Sequence, residues 1–399
     1  MKIIAVLDVA IGVGGGFDQA LNAILQMQRL TTNRFNFEVF TTQESNLFFL
    51  NQLNIKYIYV KESFFCRFSE KILRNKFYMS MRSRMGFGKQ VWMLEKRLIQ
   101  HGCDLVYFVT PIKVSDVLQK LNYISTAWDL CHRENPEFPE VREFGVFYMR
   151  EIMYSQNFAS AIMTITESNQ LTDMASKYYG VDRNRFLSIP LTTSPFLERN
   201  LASESHDVLN KYSLEAGYYF YPAQFWAHKN HIRILQALLI LNALNSGVPK
   251  LVFSGKDHGN LNHIKKFIKI NKLESQVKIL GFVPSNDVRG LYESAMAVVM
   301  PTYFGPTNIP PLEAWSLGIP LIYSSQLAEQ AGDAALLVDP DSPVELANAM
   351  LLSKNIEVRK RLVTAGYKRL KHFANLRKAA EEELRLRLDR FAVRRENWE

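Results

Sequence analysis

Apolar residues in this chain fall into short runs with polar, helix-prone stretches between them. Seven runs occupy the first half: KIIAVLDV, FEVFTT, KYIYV, LVYFVT, YISTAWDL, AIMTIT and LSIPL. They are rich in β-branched and aromatic residues and are nearly continuous in hydrophobicity rather than alternating. Such runs predict strands buried on both faces, and the helical segments between them predict a parallel sheet covered on both sides. The pattern breaks in the polar stretch TTSPFLERNLASESHD, which reads as a linker. It restarts with YYFYPAQ, KLVFSG, VKILGFV, AVVMPT, PLIYSS and ALLVDP. The predicted architecture is therefore two doubly wound α/β domains, residues 1–195 and 196–372, facing a central cleft. Ligands of such sheets bind at the carboxyl ends of the strands. The charged remainder, residues 373–399, predicts a helical segment that packs back toward the first domain, as part of a terminal helix pair.

A chain of 399 residues suits two such domains. Its longest apolar runs fall short of the roughly 18 residues of a membrane span, and Asp8 splits the apolar start that a signal peptide would need. Cys66, Cys103 and Cys131 have no metal-type spacing, which predicts free thiols and a cytoplasmic location. The net charge of +9 is concentrated between residues 64 and 100, where nine Lys and Arg face only Glu70 and Glu95 and aromatic residues are interleaved. That segment predicts either a solvated helical hairpin or a patch for an anionic ligand or an anionic membrane surface, the latter at the inner face of the plasma membrane. No nucleic-acid reading module accompanies the charge, so nucleic acid is not a predicted partner.

Candidate chemistry sits in the loops that follow strands. In YFGPTNIPPLEAW (residues 303–315) a proline suits the start of a helix, Thr307 or Asn308 could cap it, and Glu313 is expected in its first turn. The helix N-terminus would favour an anion, and Glu313 would either grip a vicinal diol or answer the helix dipole. In YPAQFWAHKNH (221–231), Lys229 is placed to meet a diphosphate. His228 and His231 are three apart without an acid at ligand spacing, which predicts capping or surface roles rather than a metal pair. The turn IGVGGGF predicts close backbone approach through Gly14, Gly15 and Gly16, although Phe17 interrupts a dinucleotide fingerprint. In TAWDLCHRENPEFPEV, Asp129 and His132 suggest sugar hydroxyls or a proton relay, or else a pair that fixes the loop. Asp339 and Asp341 flank Pro340 and read as a turn and helix cap, not as a metal site.

Taken in order, YPAQFWAHKNHIRILQAL, LVFSGKDHGN, VKILGFVPSNDVRGLYESAMAVVMPTYFGPTNIPPLEAWSLGIPLIYS and AEQAGDAALLVDPDSPVELANAM resemble the retaining GT-B glycosyltransferases of family 4, the glycosyl transferases group 1. The resemblance is strongest over residues 218–350 and looser in the first half. It implies a GT-B fold and transfer of a hexose, such as mannose, from a GDP- or UDP-linked sugar to a saccharide or lipid-linked saccharide of a bacterial surface polysaccharide, O-antigen, lipopolysaccharide or capsule. It implies no cofactor and no metal, the nucleotide sugar being a co-substrate. The donor site would comprise Gln224, Lys229, Gly255, Lys256, Thr307, Asn308, Ile309 and Glu313, with Asp129 and His132 as catalytic candidates. Glu313 would be the second glutamate of the family's Glu-x7-Glu motif, whose first falls on Gly305, and Gln224 replaces the arginine that partners Lys229. A sugar-nucleotide epimerase and a non-catalytic nucleotide-sugar-binding subunit are the alternative readings.

Overall fold

The computed structural model describes residues 1–10, 15–31, 34–61, 93–112, 118–198, 205–244, 249–305 and 307–398. Contacts divide the chain into two compact units. The first comprises 1–128, 148–188 and 380–399; the second comprises 129–147 and 189–379. Thus the stretch 129–147, which leaves the fifth strand of the first sheet, belongs by its contacts to the second unit.

In the first unit, strands β1 (Lys2–Val6), β2 (Asn36–Thr41), β3 (Tyr57–Tyr59), β4 (Leu105–Phe108), β5 (Asn122–Thr126), β6 (Met163–Thr166) and β7 (Phe186–Ser188) form one sheet in the order β3-β2-β1-β4-β5-β6-β7. Every pairing is parallel, with Ile3 opposite Phe37 on one side of β1 and Leu105 on the other. In the second, β8 (Tyr218–Pro222), β9 (Leu251–Ser254), β10 (Val277–Ile279), β11 (Ala295–Met300), β12 (Leu321–Ser324) and β13 (Leu336–Val338) are also all parallel, ordered β10-β9-β8-β11-β12-β13. Each of the thirteen apolar runs carries one of these strands, because a parallel strand covered on both faces must be apolar throughout. β4, β6, β9 and β12 are buried along their whole length. The order reverses at β1/β4 and again at β8/β11, the places where doubly wound sheets open a crevice at their carboxyl edge.

The core of the second unit has Tyr221, Phe225, Phe253, Tyr292, Trp315 and Tyr323 among its fully buried rings. In place of the expected terminal helix pair there is one helix, Ile356–Arg395, of 40 residues. No proline interrupts it, and its Gly366 does not break it because that position lies against Trp315, where a Cβ would come within 2.7 Å of the indole. Its last stretch, from Ala380, belongs to the first unit. There Leu384, Leu388 and Phe391 are buried, Glu381 accepts from Gln26, and Arg395 pairs with Asp104.

No helix among the described residues is long and apolar enough to cross a membrane. Of the basic segment, residues 64–92 lie outside the described residues. The remainder begins the helix Met93–Gln100, where buried Glu95 accepts hydrogen bonds from the backbone amides of Gln119, Lys120 and Leu121.

Candidate active site

Two loops of the second unit meet at Lys229. The first leaves β8: Tyr221 is buried, Phe225 bridges to Asp257 beyond β9, and a short turn, Ala227–Lys229, precedes the helix His231–Ala243. Asn230, at a left-handed φ of 59°, reverses the chain there and is held by the carbonyls of Pro301 and Pro340. The turn is bolted to the end of β11, because the His228 carbonyl accepts from the Tyr303 amide at 3.0 Å and from the Thr302 hydroxyl at 3.2 Å.

The second loop leaves β11 and enters the helix Ile309–Ser316. Asn308 occupies the N-cap position, but its side chain makes no capping bond. The expected cap is replaced by a network. Asn308 Nδ2 donates to the Gly305 carbonyl at 2.9 Å and to the Tyr323 hydroxyl at 2.8 Å, while Oδ1 accepts from Lys229 Nζ at 3.3 Å. Gln330 clamps the backbone from behind, accepting from the Asn308 amide at 3.0 Å and donating to its carbonyl at 2.7 Å. Thr307 precedes this cap and is half-buried.

Lys229 is thus brought to the mouth of the helix that begins at Ile309. It makes no ion pair with any described residue. Burial pulls its ammonium down to about 8, against the opposing influence of Cys131, Asp129 and Glu140. Pro310 and Pro311 carry no N–H, and the Asn308 amide is already engaged, so the helix end keeps its dipole but offers an anion few donors. Lys229 therefore supplies the principal full positive charge at this point.

Glu313 lies in the second turn of its helix, one residue beyond the first turn where it was expected, because Ile309 rather than Pro310 or Pro311 opens the helix. It is buried and accepts the Tyr292 hydroxyl at 2.7 Å. Burial raises its pKa, offset in part by Tyr292 and by the Ser194 amide.

The stretch 129–147 contributes to the same site. Phe138, Val141 and Cys131 pack with Tyr303 and Phe304. Glu140 accepts from the His228 amide at 2.9 Å and pairs with His228 Nδ1. The His228 ring stacks on Phe304 with centroids 3.9 Å apart. Burial, reinforced by Lys229, depresses His228 to about 4 despite Glu140. Burial opposes ionisation of Glu140, yet its bonds to His228 bring its pKa below the ordinary carboxylate range. At neutral pH the pair is therefore a carboxylate and a neutral imidazole. The Asp129 carboxylate accepts from the Cys131 amide at 3.0 Å and acts electrostatically on both Lys229 and His228. His132 is buried against Phe147.

Other expectations fare differently. His228 and His231 are interior groups and not surface ones: His231 lies among Tyr221, Phe225 and Phe253, and burial takes it down to about 3. Gly255 is fixed by backbone packing, since a Cβ there would fall 2.3 Å from the Ala223 carbonyl oxygen. Lys256 is exposed and lies over the Phe282 ring at 4.9 Å. Gln224 accepts from the Trp226 indole at 3.2 Å, and Trp226 stacks on His258. Gly14 lies outside the described residues; Gly15 and Gly16 open the helix Gly15–Leu30, where Gly16 faces the Trp128 ring of the first unit. Asp339 and Asp341 form a turn, with Ser342 capping the next helix through Glu345. Sequence reasoning missed Glu140 and Gln330, which are distant in the chain from the residues they hold and carry no local motif.

Residues 208–369 match the family model for glycosyl transferases group 1. The O-antigen chain mannosyltransferase B of Escherichia coli is 27% identical over 294 residues, covering 72% of this chain and 74% of the relative. Anabaena HepE, solved in complex with UDP and glucose, superimposes with a TM-score of 0.69 at 16% identity, covering 96% and 99% of the two chains. WaaG, a glycosyltransferase involved in lipopolysaccharide biosynthesis, gives a TM-score of 0.65 at 16% identity, with 95% and 98% covered. The fold is GT-B. The matched region lies wholly within the second unit and includes both loops that meet at Lys229.

Proposed function

We propose that this protein is a retaining glycosyltransferase of family 4, which moves a hexose from a nucleotide-diphosphate sugar to a saccharide or lipid-linked saccharide of a bacterial surface polysaccharide. The observation that carries this reading is Lys229 Nζ, 3.3 Å from Asn308 Oδ1 at the start of the helix Ile309–Ser316 and without an acidic partner among the described residues. A lone ammonium at a helix N-terminus matches a departing diphosphate, on which negative charge grows as the anomeric bond breaks. The acceptor hydroxyl then attacks from the face the diphosphate leaves, so configuration is retained. The family match and the mannosyltransferase relative support the reaction class, and mannose carried on GDP is the donor we favour, with UDP-glucose next.

In this mechanism Lys229 neutralises the leaving group, the cap network around Asn308 and Gln330 holds that charge in place, and Glu313 holds the nucleoside sugar. Asp129 is the group proposed to take the acceptor proton. No resident metal is needed in this scheme because the charge to be neutralised meets Lys229 directly. A charge-assisted contact of this kind is worth about 1.5–3 kcal/mol. Lys229→Ala should therefore weaken GDP or UDP binding by roughly tenfold or more and lower donor turnover at least as far. Donor consumption measured with and without a saccharide acceptor separates the readings. Consumption only with acceptor is expected; conversion without acceptor would mean an epimerase, and tight binding with neither would mean a binding subunit.

A further inference from the structure

His228 is held on three sides. Its backbone carbonyl is bonded to Thr302 and Tyr303, its ring lies flat on Phe304, and Nδ1 faces Glu140. It is 8% exposed. Glu140 is an acceptor, so the neutral ring carries its hydrogen on Nδ1 and its lone pair on Nε2. Nε2 makes no hydrogen bond to any described residue. The direction of that lone pair is fixed by Glu140, which faces Nδ1 and accepts from the His228 amide as well. The next residue in the chain is Lys229, whose ammonium is bonded among the described residues only to Asn308. The charged groups acting on the ring are Lys229, Glu140 and Asp129. The two residues are consecutive on one turn, and the Lys229 charge acts on the His228 ring.

We propose that His228 is a specificity residue whose Nε2 accepts a hydrogen bond from a hydroxyl of the sugar carried on the diphosphate that Lys229 holds, with Glu140 fixing the tautomer. This rests on the nucleotide-sugar reading above and adds to it the residue that distinguishes a sugar nucleotide from the bare nucleotide. A site that hydrogen-bonds a substrate hydroxyl discriminates against ligands lacking it, because they forgo that bond.

The test uses two substitutions that divide the ring's functions. His228→Asn keeps a polar atom near Nδ1, facing Glu140, and has none at Nε2; His228→Gln places an amide oxygen near Nε2 and none near Nδ1. Isothermal titration of the full chain with GDP, UDP, GDP-mannose and UDP-glucose reads the outcome. His228→Asn should bind the nucleoside diphosphate within about twofold of wild type and the matching nucleotide sugar roughly tenfold or more weakly, while His228→Gln should recover most of that loss. The opposite order, Asn tolerated and Gln not, would mean that the bond to Glu140 alone matters and would overturn the proposal. Equal weakening of nucleotide and nucleotide sugar would overturn it too. If either variant fails to fold, Glu140→Ala, which frees the tautomer, must reproduce the selective loss of the nucleotide sugar, and its failure to do so is likewise decisive against it. A wild-type chain that binds neither GDP nor UDP sinks the nucleotide-sugar reading itself, a result distinct from all of these.

Discussion

As the proposed anion-binding group, Lys229 would set the pH range over which the site holds an anion. Burial brings its ammonium to about 8, so the charge is present at neutral pH and is lost as pH rises through that value. The affinity of the free protein for GDP or UDP should therefore fall between pH 7 and pH 9, by up to about tenfold, and titration of Lys229→Ala should show no such alkaline loss. A wild-type affinity that is flat over that interval would mean that another group carries the phosphate. The same burial has the reverse effect on folding. An unfolded lysine keeps its proton to a higher pH, so the cost of burying the charge is relieved above about 8 and stability contributed at this residue rises there. Beside it, Gly305, where the resemblance would put the first glutamate of Glu-x7-Glu, has φ at +107°, and a Cβ would press on the Asn308 side chain at 3.2 Å. A glutamate there would disturb Asn308, which contacts Lys229.

At the scale of elements, the helix Ile309–Ser316 and the long helix Ile356–Arg395 are fitted to each other. Trp315 is buried with its indole N–H on the Ala334 carbonyl at 2.9 Å, and Gly366 gives it room. Helix propensity favours alanine over glycine by about 1 kcal/mol in a helix interior, whereas overpacking a well-filled contact costs about 1–3 kcal/mol. Overpacking wins because the indole has no free direction in which to move. Gly366→Ala should therefore lower the thermal midpoint by a few degrees, and a raised midpoint would show that the helix can shift away from Trp315. The same opposition between local preference and packing explains which elements were readable. Thirteen apolar runs became thirteen strands because a parallel strand covered on both faces declares itself by composition. The helix pair expected at the C-terminus became a single helix because Gly366, a weak point by propensity, is held by a contact that only the fold supplies.

For the whole molecule, the last twenty residues are part of the first unit's structure. Leu384, Leu388 and Phe391 are buried there, and Arg387 donates to the carbonyls of Asn184 and Phe186 next to β7. Ending the chain at residue 379 should expose that apolar surface and lower amide-exchange protection in β1, β4 and β7, while strands β8 to β13 keep theirs. Unchanged protection in the first sheet would mean that the terminal stretch contributes nothing to it.

By itself the sequence determined both parallel sheets and the two loops that follow β8 and β11, and it singled out Lys229 as the candidate cation, because burial of strands and the chemistry of loop residues are written locally. Tertiary structure alone decided that 129–147 joins the second unit, that Glu140 orients His228, that Gln330 braces Asn308, and that His231 is a core residue. Except at His231, these are contacts between positions tens of residues apart, and neither periodicity nor spacing records which side chains a fold will bring together.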